Sequence, residues 1–147
     1  MDINGVAHIV LTAGDYEKST TFYRALLPSL GMTLVLDNEF MLYGVGARTA
    51  LGVRPPDEAH AGEKFVQARV GLHHLCFRAK SRETVDEVFH WVSARDDATI
   101  VHEPEESSWA PGYYSVLFED PDGVRLEVNH VPGKGLLDND AGKTEQA

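Results

Sequence analysis

Three side chains in this sequence stand where a divalent cation could be gripped: His8, His74 and Glu127. Imidazole nitrogen and carboxylate oxygen suit first-row divalent ions, and two histidines with one carboxylate leave coordination positions open. An ion held this way can accept two substrate oxygens and act as a Lewis acid, stabilising an enediolate or alkoxide as charge develops. With iron(II) or manganese(II), the same set could bind a catechol-like diol and oxygen. The ligand types do not choose among Fe, Mn, Zn, Ni and Co. Cys76 is the sole cysteine, so no thiolate cluster can hold zinc and no intrachain disulfide can form.

The reason for grouping these three lies in an internal echo. Gly5-Val6-Ala7-His8-Ile9-Val10-Leu11 reappears as Gly71-Leu72-His73-His74-Leu75-Cys76-Phe77, 66 positions later. Both segments are short, apolar and rich in branched residues, so both read as buried strands. Side chains two apart share a strand face. Val6, His8, Val10 and Thr12 fall on one face, and Leu72, His74 and Cys76 on the matching face of the repeat. The two histidines thus occupy equivalent points of equivalent modules. His73 falls on the opposite face and is the alternative ligand to His74.

In Val124-Arg125-Leu126-Glu127-Val128-Asn129, the apolar residues take one face and Glu127 the other. A mid-strand carboxylate needs a partner, because burying one unpaired is strongly unfavourable. A metal ion would satisfy it, and so would Arg125. Aligning the halves by their last strands sets Gly52 against Glu127, so the first half lacks the matching acid.

Each strand must be followed by elements that hold it in place. Asp15 can cap a helix running to about Leu27, stopped by Pro28 and Gly31. Ser81 can cap a second to about Arg95, with Val85, Val88, Phe89 and Val92 on one face. Strand signals follow at Thr33–Leu36, Phe40–Val45 and Thr49–Val53, then at Thr99–His102, Tyr114–Phe118 and Val124–Asn129. Asp120-Pro121-Asp122-Gly123 is a turn. Pro104–Gly112 has the length of a functional loop. The expected fold is α+β: two tandem β-α-β-β-β modules forming a curved mixed sheet around a metal-binding cleft. One domain is expected over 1–131, with modules over about 3–54 and 69–131, and a flexible tail over 132–147.

Other residues near this chemistry divide between pocket and packing. His102 ends a strand before the loop and is a surface residue or a general base. Tyr113 and Tyr114 adjoin Gly112; one must point away from the helices, where it could line the pocket or donate a proton. Trp109 is a lid contact or a loop anchor. Arg48, Arg54 and Arg125 are possible carboxylate clamps. Cys76 reads as a small pocket-lining residue.

The 147 residues carry a net charge of −10, with basic residues scattered and no run of three. Nucleic acid is therefore not an expected partner. No apolar run approaches a membrane span, and the N-terminus lacks a secretory pattern, which makes a cytoplasmic protein the expectation. The expected partner is a small-molecule substrate.

Together these segments resemble the vicinal oxygen chelate superfamily, which includes glyoxalases, bleomycin- and fosfomycin-resistance proteins, methylmalonyl-CoA epimerases and extradiol dioxygenases. The markers are Gly5-x-x-His8-Ile9, Phe22-Tyr23-Arg24-x-Leu26, Leu30-Gly31-Met32, His74-Leu75-x-Phe77 and Phe118-x-Asp120-Pro121-Asp122-Gly123-x-x-x-Glu127. The resemblance covers roughly 3–131. It implies one divalent metal on His8, His74 and Glu127, and a homodimer in which His8 can serve a partner's site. It implies lyase, isomerase or dioxygenase activity. The alternative is a non-catalytic, drug-sequestering protein, although such members generally lose the ligands. Many members add a Glu or Gln where Gly52 stands.

Overall fold

The computed structural model describes residues 1–135; the remainder of the tail anticipated as flexible lies outside the described residues. Two four-stranded sheets, each with one helix, make two compact units. The first spans Met1–Phe65 together with Pro121–Gly123, and the second takes Val66–Asp120 and, of the described residues, 124–135. No described helix is long and apolar enough to cross a membrane.

The first unit contains β1 (His8–Thr12), α1 (Tyr16–Ser29), β2 (Thr33–Asp37), β3 (Leu42–Gly46) and β4 (Thr49–Arg54). The sheet order is β1-β4-β3-β2, with β1 parallel to β4 and the other pairs antiparallel. Asp15 caps α1 by accepting from the Lys18 amide. Pro28 does not stop the helix as expected. It sits in the last turn, and termination falls to Gly31, whose φ of 78° is cheap only without a side chain. The Met32 amide donates to the Leu27 carbonyl and the Gly31 amide to the Pro28 carbonyl, the paired bonds of a Schellman end.

Phe22, Tyr23, Leu26 and Leu27 are buried on the sheet with Leu11, Leu42, Leu51 and Val53. Gly44 lets Leu27 approach, since a Cβ there would lie 2.8 Å from Leu27 Cδ1. The other sheet face is open. His8 is exposed, as are Val10 and Val45, so β1 is half-buried rather than the fully buried strand anticipated. Asp122 completes this unit. Its Oδ2 accepts from the Gly14 amide and the Ser19 hydroxyl, each at 2.8 Å, and Lys64 Nζ stands 3.0 Å from Oδ1.

The second unit repeats the plan with β5 (Leu75–Arg78), α2 (Arg82–Ser93), β6 (Thr99–Glu106), β7 (Tyr114–Glu119) and β8 (Arg125–His130), in the order β5-β8-β7-β6. Ser81 caps α2, and Val85, Val88 and Val92 are buried with Val116, Phe118, Leu126 and Val128. Strand β6 runs four residues past the expected end and through Pro104. Two register shifts against β7 loosen the ladder there, and an edge strand tolerates a residue lacking N–H. The loop contracts accordingly. Between β4 and β5 the chain of the first unit makes a 3-10 turn, Glu58–His60.

A candidate metal and substrate site in the second unit

The alternation that puts Leu126 and Val128 against α2 turns Glu127 to the opposite sheet face. There Cys76, Glu127, Leu117 and His102 form one row across β5, β8, β7 and β6. Ser115 and Arg125 share this face, and residues from the chain before β5 and after β6 wall it in. The result is a cleft of about 230 Å³ whose lining comes wholly from the second unit and includes His73, His74, His102, Ser107, Trp109 and Glu127.

Glu127 is 9% exposed, so both of its oxygens need partners. Tyr113 supplies one: its hydroxyl donates to Oε1 at 2.6 Å. The other, Oε2, lies 3.3 Å from His74 Nε2. Burial, with the bonded carboxylate second, pushes the Tyr113 pKa above its ordinary value, so the proton stays on the phenol. Packing around the Cys76 thiol and the neighbouring Glu127 charge push that group up to about 12. A thiol so raised keeps its proton and is a poor nucleophile.

His74 directly precedes β5, so the strand begins later than expected and does not impose opposite faces on His73 and His74. Their Nδ1 atoms stand 2.7 Å apart, with the rings at 77°. His102 gives its Nδ1 proton to the Glu103 carbonyl at 2.9 Å, which leaves Nε2 as the basic nitrogen of the neutral ring. The Ser107 hydroxyl is buried without a hydrogen-bond partner. Trp109 is 76% exposed at the cleft rim.

Of the expected residues, His74, Glu127, Tyr113 and His102 come together here. Tyr114 does not: its hydroxyl donates to Asp86 of α2 at 2.7 Å, and Arg82 lies over its ring. Strand alternation sends it to the helix side. Arg125 serves Glu119 at 3.2 Å rather than Glu127. His8 belongs to the first unit, its ring 6.4 Å from that of Tyr43. Among the described residues, no three His, Cys, Asp or Glu side chains are gathered as a ready cage. The neighbouring imidazole nitrogen and free carboxylate oxygen of His74 and Glu127 are nonetheless the donor types a first-row divalent ion takes.

The repeat alignment holds in the hydrogen-bond register. Val10 pairs with Gly52 as Cys76 pairs with Glu127. Glycine is required at that point of the first unit, since a Cβ on Gly52 would lie 2.9 Å from the Tyr43 ring. Sequence reasoning gave Gln67 no role and placed Ser107 only within the functional loop Pro104–Gly112. Neither carries a local signal, because only the folded backbone brings them to the cleft.

Comparison with known proteins agrees with this architecture. The family model described as the Glyoxalase/Bleomycin resistance protein/Dioxygenase superfamily matches residues 5–128. The uncharacterized protein YqjT of Bacillus subtilis is 28% identical over 126 residues, covering 82% of this chain and 94% of that one. A glyoxalase candidate from Bacillus halodurans shares 28% identity with a TM-score of 0.75, over 85% of this chain and 94% of that structure. The lactoylglutathione lyase of Agrobacterium tumefaciens has the same fold at 23% identity and a TM-score of 0.64, over 88% and 96% of the two chains.

Proposed function

Since the chain belongs to the glyoxalase/bleomycin resistance protein/dioxygenase superfamily, we propose that it is a divalent-metal-dependent enzyme acting on a small oxygen-chelating substrate. The reaction is glyoxalase-like lyase or isomerase chemistry, or extradiol-type dioxygenase chemistry. The observation that carries this reading is the pairing of His74 Nε2 with Glu127 Oε2 at 3.3 Å inside a cleft, the second Glu127 oxygen already committed to Tyr113. His74 and Glu127 would hold the ion, with His8 as third ligand from the same chain or from a second copy in a homodimer. Any of Fe, Mn, Zn, Ni or Co fits such ligands. When bound, the ion supplies Lewis acidity toward two substrate oxygens.

The chain's own groups do the rest. His102 Nε2, free and basic, takes a proton from the substrate. The Ser107 hydroxyl donates to a substrate oxygen and thereby gains the partner it lacks. Trp109 covers the bound molecule at the rim. Tyr113 orients Glu127 and keeps its proton.

The test is elemental analysis of protein purified without chelator, followed by assays with a methylglyoxal–glutathione hemithioacetal and, anaerobically loaded with iron(II), oxygen uptake on a catechol panel. Bound metal that falls in His74→Ala and Glu127→Gln variants is the expected result. Protein that holds no metal and gains no thermal stability from Mn, Fe, Co, Ni or Zn would instead support the sequestering alternative.

A further inference from the structure

Three side chains form one hydrogen-bond chain that reaches the site, and its last member stands beside Glu127. The Gln67 amide nitrogen lies 2.9 Å from His73 Nε2 and 3.3 Å from its Nδ1. His73 Nδ1 lies 2.7 Å from His74 Nδ1, and His74 Nε2 lies 3.3 Å from Glu127 Oε2. Two ring nitrogens 2.7 Å apart share a single proton, since two would collide and none would leave facing lone pairs. The polarity of the whole chain is therefore set together. With Gln67 donating to His73 Nε2, the His73 proton sits on Nδ1 and is donated to His74 Nδ1. His74 then carries its own proton on Nε2, toward the Glu127 carboxylate. The two shorter contacts, 2.9 and 2.7 Å, are then both satisfied.

That polarity is the wrong one for a ligand. To offer the Nε2 lone pair to a cation, His74 must hold its proton on Nδ1 and donate it to His73 Nδ1. His73 must then carry its proton on Nε2, and Gln67 must present its oxygen. We infer that His73 is a positioning residue for His74, and that metal uptake reverses the direction of the Gln67–His73–His74 chain. The inference rests on the proposed metal reading. The protons balance: one leaves His74 Nε2 for solvent, one moves from His73 Nδ1 to His74 Nδ1, and His73 Nε2 takes one from water. Glutamine suits the far end because turning its amide over exchanges a donor for an acceptor. The second role of His73 is to hold the ligand ring in place once turned.

Long-range proton–nitrogen NMR of the histidine rings, with zinc(II) as the diamagnetic probe, tests this. Metal-free protein is expected to show the proton on His74 Nε2 and His73 Nδ1, and the zinc form the reverse on both. His73→Phe should weaken zinc binding by roughly 10-fold or more by calorimetry, with unchanged circular dichroism, and His73→Gln should restore most of it. His73 is exposed, so neither change threatens folding. A His74 proton already on Nδ1 without metal, rings unchanged when zinc binds, or a His73→Phe affinity equal to that of the parent would each overturn the inference. Failure of the parent protein to bind zinc at all is the separate result that removes the metal reading, and the reversal with it. Even then, the metal-free spectra of parent and His73→Phe decide whether His73 sets the His74 tautomer.

Discussion

A buried carboxylate is stable only if its oxygens find partners, and Glu127 has a phenol bonded to one and an imidazole 3.3 Å from the other. Removing the phenol exposes what it does. In Tyr113→Phe, Oε1 loses its donor and Glu127 can turn; the protein should lose about 1–3 kcal/mol in urea denaturation, and metal affinity should fall roughly 10-fold or more by calorimetry. His102 should behave differently, because it touches no proposed ligand. His102→Gln is expected to lower turnover by roughly 100-fold or more while leaving metal affinity intact; equal loss of both would remove the general-base role. The orientation of Glu127 was legible from simple alternation along its strand. Its bond to Tyr113 was not, because the turn before β7, not residue spacing, brings that phenol round.

At the level of elements, the two helices and the strand order were legible because caps and apolar spacing are local signals. Two of the misread boundaries involve proline. Pro28 in the last turn forgoes only the one bond that an N–H there would give the Arg24 carbonyl, and Pro104 on an edge strand likewise costs the ladder little. The cap of α1 offers a pH test. The Lys18 amide, foremost among its neighbours, holds the Asp15 carboxyl below its ordinary value. A depressed folded pKa means that the contribution is complete above about pH 4 and disappears as pH falls through the folded value. Asp15→Ala should therefore cost about 1 kcal/mol near neutrality. The gap in Tm between the two proteins should stay open above about pH 4 and close as the pH is lowered further.

For the whole molecule, the repeat was readable from the sequence, but the ownership of the β7–β8 turn was not. Asp122 reads locally as a turn former, yet it is 3% exposed and serves donors more than a hundred residues away. Asp122→Ala strands the Gly14 amide and the Ser19 hydroxyl and takes one of its bonds from Lys64. It should lower stability by about 2–4 kcal/mol in a urea melt, a far larger loss than a surface turn position would give. Net charge bears on self-association: copies carrying −10 repel one another at low salt. If the proposed homodimer forms, its dissociation constant by sedimentation should tighten as salt is raised from about 20 to 200 mM, where the screening length falls from roughly 20 to 7 Å.

The carboxylate that anchors the loop before the first helix arrives late in synthesis. A ribosome adding about 5–20 residues per second delivers Asp122 roughly 5–20 s after Gly14, a separation of 108 positions. Through that interval the nascent N-terminal half exists without the anion its loop is shaped to hold. A gene fragment ending near residue 65 would make this condition permanent, whereas a fragment reaching past Gly123 would relieve it.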